Sequence, residues 1–267
     1  MAQVLHSALE LRFQVYCIEC NFLSPQDYPS GMESDEHDAS ATHFYAFDAD
    51  EDLVGYVRLI RPDAQGRFPL HRHCDVSHVE RLPASSSAVE ISRLMVRADY
   101  RRRRGDRLSG VTAEQSRAAF AGERRSEAPQ ILLSLYRQMF AYCSEKGIRH
   151  WYAAMERPLA RSLLRYKFGF RPIGPEADYY GPVAPYLADL RELELQVSAH
   201  HPALMQWMRR PQCDDAVDCT EQRWSRYHMR GAHAVPPVAG FMSEMDGPKS
   251  ITPPHGVDAL QRLSLAA

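Results

Sequence analysis

Residues 88–96 read AVEISRLMV, and how this stretch folds decides the rest. An apolar run of this length predicts a strand. Strand alternation puts Glu90, Ser92 and Leu94 on one face, and Val89, Ile91, Arg93 and Met95 on the other. Glu90 and Arg93 then fall on opposite faces, so at least one charge is buried unless a bulge re-aims it. Buried charges need partners. Arg58, in the middle of the apolar stretch LVGYVRLI (53–60), makes the same demand.

Upstream, HFYAF (43–47) and LVGYVRLI predict paired strands joined by the acidic loop Asp48-Ala49-Asp50-Glu51-Asp52. Val4, Ala8, Leu11, Val15 and Ile18 recur at helical spacing and predict a helix over 3–20. Ser24-Pro25 and Pro29-Ser30-Gly31 make 21–42 a loop, and 61–87 is a long polar connection. Downstream, 107–128 stays open between a helix and a mobile segment. ILLSLYRQMFAYCSEKG (131–147) predicts a helix stopped by Gly147. IRHWYAAM (148–155) predicts a strand, and RPLARSLLRYKFG (157–169) a helix with Pro158 in its first turn. FRPIG (170–174) and Tyr179 to Tyr186 read as closing strands, and 189–210 as helix broken near Pro202. This order predicts an α/β or α+β fold, a mixed central sheet with helices on both faces.

At 267 residues the chain has room for one full core and an appendage. The division expected is 1–187 as one domain and 188–267 as a helical extension with a loosely ordered tail. Beyond 210 there are six Pro and four Gly with little apolar periodicity, though TEQRWSRYHMR (220–230) has the look of a short helix. Apolar residues make up 45% and charged residues 25%, which excludes wholesale disorder and a disulfide scaffold. No apolar run reaches the ~18–20 residues of a membrane helix. Glu10 and Arg12 come too early for a signal peptide, so a cytoplasmic protein with reduced thiols is expected.

The net charge of −2 names no polyanionic partner, but its distribution is uneven. Residues 33–52 carry eight acids and no Lys or Arg, whereas 97–125 carry nine Arg against four acids. The basic segment suits an anionic ligand or carrier, and equally a solvated loop. Cys17-x-x-Cys20 lacks the second pair of a zinc ribbon, and the cluster in HRHCDVSH (71–78) has no zinc spacing. No metal site is expected. No P-loop, zincin motif or nucleic-acid-binding motif is present.

The economical solution for the strand charges is one network in which Arg12, Arg58 and Arg93 meet Glu33, Asp35, Asp38 and Glu90. Such a network either shifts pKa values at a site or merely holds structure. The ordered set Arg12…Glu33-x-Asp35-x-x-Asp38…Gly55-x-x-Arg58-Leu59…Glu90-Ile-Ser92-Arg93 resembles the signature of the acyl-homoserine-lactone synthases and their relatives, the N-acyl amino acid synthases. LRFQVYCIE, GMESDEHD and EISRLMV are most similar to the acyltransferase subfamily associated with PEP-CTERM/exosortase systems. The resemblance spans roughly 10–187. LMVRADYRRRRGD (94–106) and RSLLRYKFGFRPIG (161–174) resemble segments of the wider GNAT fold, the first being the one that cradles the acyl carrier's pyrophosphate. Only Gly105 stands where two or three glycines are usual in acetyl-CoA-binding members.

The resemblance implies a GNAT-like N-acyltransferase that moves an acyl group, long-chain by this likeness, from an acyl-carrier-protein or acyl-CoA thioester to a small amine, with no tightly bound cofactor. Glu90 is then the base that deprotonates the amine. Ser92 is either an oxyanion donor or an ordinary strand hydroxyl, and Arg93 stands beside them. Arg12, Tyr16, Phe22, Glu33, Asp35, Asp38 and Arg58 shape the amine pocket. Arg101, Arg102, Arg103, Arg104 and Gly105 are candidates for the carrier's phosphopantetheine or an acidic carrier-protein helix. Phe22 and the apolar strand residues line an acyl tunnel or belong to the core. Cys143 belongs to the core. A free amino acid is the first acceptor expected and S-adenosylmethionine, giving a homoserine lactone, the second. An acetyl-CoA-dependent enzyme and a catalytically silent module that binds acyl carriers are the remaining alternatives.

Overall fold

A computed structural model describes residues 2–48, 50–79, 81–101, 128–210 and 227–228. The strands are β1 (Thr42–Phe47), β2 (Leu53–Ile60), β3 (Ala88–Val96), β4 (His150–Met155), β5 (Arg171–Pro172), β6 (Ala177–Asp178), β7 (Pro182–Asp189) and β8 (Tyr227–His228). The helices are α1 (Ala2–Phe13), the single turn α2 (Ala98–Arg101), α3 (Ala128–Lys146), α4 (Arg157–Arg165), α5 (Leu190–His200) and α6 (Pro202–Arg209). The strands run in the order β5-β7-β4-β3-β2-β1-β8, with β6 beside β7. β3 and β4 are parallel; their other partners in the sheet run antiparallel to them.

Alternation along the strands sorts the core into two layers. Phe44, Val57, Leu59, Val89 and Ile91 pack against Ile131, Leu135 and Met139 of α3 on one face. Tyr45, Tyr56 and Met95 pack against Ala8, Leu11 and Val15 of α1 on the other. Gly55 lets α3 lie close to the sheet, since a Cβ there would stand 2.6 Å from Ile131 Cγ2. Leu193, Val197, Leu204, Met205 and Trp207 of α5 and α6 join the α3 layer. Cys143 is buried in that layer and its sulfur accepts from Trp151 Nε1 at 3.2 Å.

Several local expectations need correction. The first helix stops being α-helical at Phe13 and continues as a π-helix over Gln14–Glu19, a wide turn of the kind often found at functional sites. The 61–87 connection is less of a loop than its polarity suggests. Phe68, Leu70 and Cys74 are buried with Tyr152, Ile173 and Leu187 beside the α1 layer. Tyr227–His228 form a two-residue parallel strand on β1 where a short helix was expected, using the backbone edge that β1 leaves open. Arg102, Arg103, Arg104 and Gly105, the stretch 107–127 and the rest of the tail lie outside the described residues. Among the described residues no helix is long and apolar enough to cross a membrane.

Candidate active site

The β3 stretch answers its own paradox with a bulge. β2 pairs with β3 at Arg58↔Ser92 and again at Tyr56↔Met95, so Arg93 and Leu94 together oppose Val57. Arg93 takes φ 56°, a left-handed conformation that is unusual for a side chain of its size. The bulge turns Arg93 onto the same cavity as Glu90 and Ser92. Both charges are buried, with Glu90 2% and Arg93 7% exposed. On its far side β3 pairs with β4 only from Ala88↔His150 to Ile91↔Ala153. Beyond Ile91 the two strands part, and a cavity of about 500 Å³ opens between them.

Six of the seven charges assemble as the sequence suggested. Arg12 donates from Nε to Glu33 Oε2 at 2.5 Å and from Nη1 to Asp38 Oδ1 at 2.5 Å. Arg58 forks onto both oxygens of Asp35 at 2.7 and 2.6 Å and also reaches Asp38 Oδ1. Arg93 donates from Nη2 to Glu33 Oε1 at 2.9 Å and to Asp35 Oδ2 at 3.2 Å. The Asp35 backbone N–H donates to Asp38 Oδ2 and the His37 N–H to Asp35 Oδ1, which closes the loop on itself. Three arginines thus meet three carboxylates. Burial alone would raise the carboxylate pKa values, but the guanidinium groups outweigh it and hold Glu33, Asp35 and Asp38 below their ordinary range.

Glu90 stands outside this network, which corrects the expectation that it joins. Among the described residues it makes no ion pair. Its Oε2 accepts from the Leu70 backbone N–H at 2.9 Å, and its other oxygen has no protein partner there. Burial pushes its pKa up to about 7, against smaller opposing effects of the Leu70 amide, Arg58 and Arg93. This carboxyl therefore exchanges its proton near neutral pH. The Ser92 hydroxyl accepts from Arg58 Nη2 at 3.4 Å.

Tyr16, Phe22 and Tyr180 join Glu90, Ser92 and Arg93 around the cavity, and Leu132, Tyr136, Met155 and Leu159 form its apolar part. The Arg93 guanidinium lies between the rings of Tyr16 and Tyr180, 4.8 and 4.9 Å from their centroids. Phe22 meets Tyr16 edge to face and is 37% exposed. Arg12, Glu33, Asp35, Asp38 and Arg58 lie behind this wall and do not line the cavity. Arg101 ends the turn of α2 that follows β3. Tyr179, Tyr180 and Tyr136 were missed by sequence reasoning, which took the first two as strand and the third as a helix residue. A Tyr-Tyr-Gly run ahead of a strand was the available signal for the turn in which Tyr180 (φ 56°) and Gly181 (φ 97°) are both left-handed. Among the described residues no three His, Cys, Asp or Glu gather as metal ligands do.

The fold is the GNAT-like α/β acyltransferase fold. Residues 11–110 match the family described as "Acetyltransferase (GNAT) domain". Among solved structures the chain is similar to a CoA-dependent acyl-homoserine lactone synthase, BjaI, with SAM and isopentyl-CoA, at 19% identity and a TM-score of 0.52, covering 74% of this chain and 82% of that one. It is also similar to TofI in a ternary complex with an inhibitor and MTA, at 15% identity and a TM-score of 0.51, covering 74% and 93%. Likeness at such identity speaks for the fold. No curated protein matches the sequence. None of these likenesses bears on the narrower resemblance to exosortase-associated enzymes.

Proposed function

We propose that this protein transfers an acyl group from the thioester of CoA or acyl-carrier protein to a small cationic amine, S-adenosylmethionine before a free amino acid. The observation that carries the acyl transfer is Glu90. It is buried, has one oxygen without a protein partner among the described residues, and gains or loses its proton near pH 7 on the cavity that opens just beyond its pairing with β4. In the reaction the acceptor nitrogen, relieved of a proton by Glu90 directly or through a water, attacks the thioester carbonyl carbon. The C–S bond breaks and the thiolate departs to take up a proton. The oxyanion that forms on the way needs donors, and the backbone N–H groups of Arg93 and Leu94, bulged out of register with β2, are the candidates beside Ser92. Arg93 is a positioning residue here, because its guanidinium is already matched by Glu33 and Asp35.

Charge orders the two acceptors. Among the described residues the charged ones lining the cavity are Glu90, Glu156 and Arg93, and Arg93 is neutralised from behind. The net balance is acidic, which favours a sulfonium-bearing acceptor over a zwitterion. Tyrosine faces at the cavity wall suit a cation and an adenine alike. The likeness to acyl-homoserine lactone synthases supports the same order, which reverses the preference drawn from sequence. The amino acid reading keeps the support of the sequence motifs, and acyl-carrier protein as donor rests on Arg101 to Arg104 and Gly105 as a carrier-binding segment. The test is intact mass spectrometry of extracts from cells expressing the wild type or Glu90→Gln. A wild-type-only acyl-homoserine lactone ion is expected, because the carboxylate of the acylated S-adenosylmethionine can attack its own γ-carbon, breaking the C–S⁺ bond and releasing the neutral thioether. An acyl amino acid ion instead would move the acceptor to the second reading, and equal products from both strains would refute Glu90 as the base.

A further inference from the structure

The carboxylate at the centre of this site is held by a segment far from it in sequence. The Pro69–Arg72 turn sends its Leu70 N–H to Glu90 Oε2, while the Leu70 carbonyl accepts from the N–H groups of His73 at 3.1 Å and Cys74 at 2.8 Å. Leu70 is thus held at both its N–H and its carbonyl. Its side chain is fully buried with Phe68 and Tyr152, and the Phe68 N–H donates to His71 Nδ1 at 3.2 Å across the turn. The segment that follows is pinned on the same face toward the β5 edge of the sheet. His78 N–H donates to the Ile173 carbonyl at 3.0 Å, and the His73 ring stacks on Tyr179 with centroids 4.1 Å apart. At Gly174 the fit is so close that a Cβ would stand 1.7 Å from the Asp75 carbonyl oxygen.

We propose that the Pro69–Arg72 turn is the positioning element of the reaction: the Leu70 N–H clamps one oxygen of Glu90 so that the other alone meets the acceptor amine, and Gly174 keeps the clamp seated. This rests on the reading of Glu90 as the base. A carboxylate free to rotate would offer either oxygen in many directions, whereas a clamped one presents a single oxygen in a fixed direction. An amide donor also favours the charged form, so the clamp keeps the base available at neutral pH against its burial. The other groups acting on Glu90 are Arg58 of β2, Arg93 of β3 and Asp35 of the 33–38 segment ahead of β1. The Cys74 thiol and the Tyr179 hydroxyl also feel its charge. Arg58 and Arg93 are bound to other carboxylates, which leaves Leu70 as the direct donor among the described residues.

The experiment is a pH titration of the full-length protein followed at the Leu70 amide by proton–nitrogen NMR, without substrate. The amide proton of the wild type is expected to shift through one midpoint near 7, and that of Glu90→Gln to stay flat. A wild-type Leu70 amide that does not titrate, or titrates equally in Glu90→Gln, would overturn the clamp. Gly174→Ala, which drives the Asp75 carbonyl away, is expected to raise the midpoint by about one pH unit, as loss of one hydrogen bond to a charge implies. In that variant kcat falls about tenfold on the acid side and recovers at high pH, with KM for the acceptor unchanged. An unmoved midpoint in folded Gly174→Ala overturns the proposal. If that variant does not fold, the wild-type titration decides alone. Titration without any acyl transfer defeats the proposed function and leaves the clamp; transfer without titration defeats the clamp and leaves the function.

Discussion

Glu33 and Glu90 are both buried carboxylates near Arg93, and they do opposite things. Glu33 is fully buried between Arg12 and Arg93, with its charge matched and its pKa held down. Glu90 has one backbone amide for company and a pKa pushed up to about 7. Desolvation acts on both; what differs is whether a guanidinium offsets it. The first arrangement ties α1, the 33–38 segment, β2 and β3 together at the cost of any proton chemistry. The second leaves a group ready to exchange a proton in a cavity, without a charged partner among the described residues. A protein that needed only structure at residue 90 would do better with an apolar side chain there.

Removing Glu90 is the change with the largest expected effect. Glu90→Gln keeps an acceptor for the Leu70 N–H and loses the base, so kcat/KM should fall by about 10²–10⁴ in a turnover assay. Its stability should move the other way. The folded pKa of Glu90 lies above the unfolded value of 4.5, so the stability linked to its proton is complete below about 4.5 and lost as pH rises through about 7. Glu90→Gln should therefore resist denaturant better than the wild type above pH 7, by on the order of 3 kcal/mol, and equally near pH 4. If stability drops at both pH values, Glu90 is a structural partner like Glu33 and the comparison fails.

Breaking the network should do the reverse. Glu33→Gln leaves Arg12 and Arg93 short of a buried partner, and urea unfolding should reveal a loss of about 3–5 kcal/mol. A loss of activity alone, with stability kept, would make Glu33 part of the chemistry. Acid sharpens the same contrast. Glu33, Asp35 and Asp38 have folded pKa values below their free ones, so their contribution is present above about 4.5 and lost as pH falls further. Thermal unfolding should accordingly show a steep fall below about pH 4, shallower in Glu33→Gln. The smallest effect expected is at the aromatic wall. Tyr180→Leu removes one of two rings on Arg93 and should raise KM for the acceptor severalfold while costing about 0.5–1 kcal/mol in stability. An unchanged KM would take Tyr180 out of the acceptor pocket.

Much of this was legible in the chain because charges in apolar strands are hard to misread. Arg58, Glu90 and Arg93 announced burial, and the acids of 33–38 offered a run of partners. The strands β1 to β4 followed from apolar runs and their breakers, within two residues of where they lie. What stayed hidden depends on contacts distant in sequence. Nothing in residues 61–87 says that Leu70 holds Glu90, because the bond is made by a backbone N–H that any residue but proline carries. Strand alternation assigned Glu90 and Arg93 to opposite faces; a bulge, which costs only a register shift, brought them together. The π-helix at Gln14–Glu19 has ordinary helical composition and becomes visible only as geometry.

The most direct measurement is the pH dependence of kcat/KM for purified wild type and Glu90→Gln, with an acyl-CoA or acyl-carrier-protein thioester and S-adenosylmethionine. The wild type should give a limb that rises with pH through a midpoint near 7, and Glu90→Gln a rate at least about a hundredfold lower with that limb gone. A Glu90→Gln enzyme within a few fold of the wild type, with the same limb, would contradict the assignment of Glu90 as the base on which the mechanism depends.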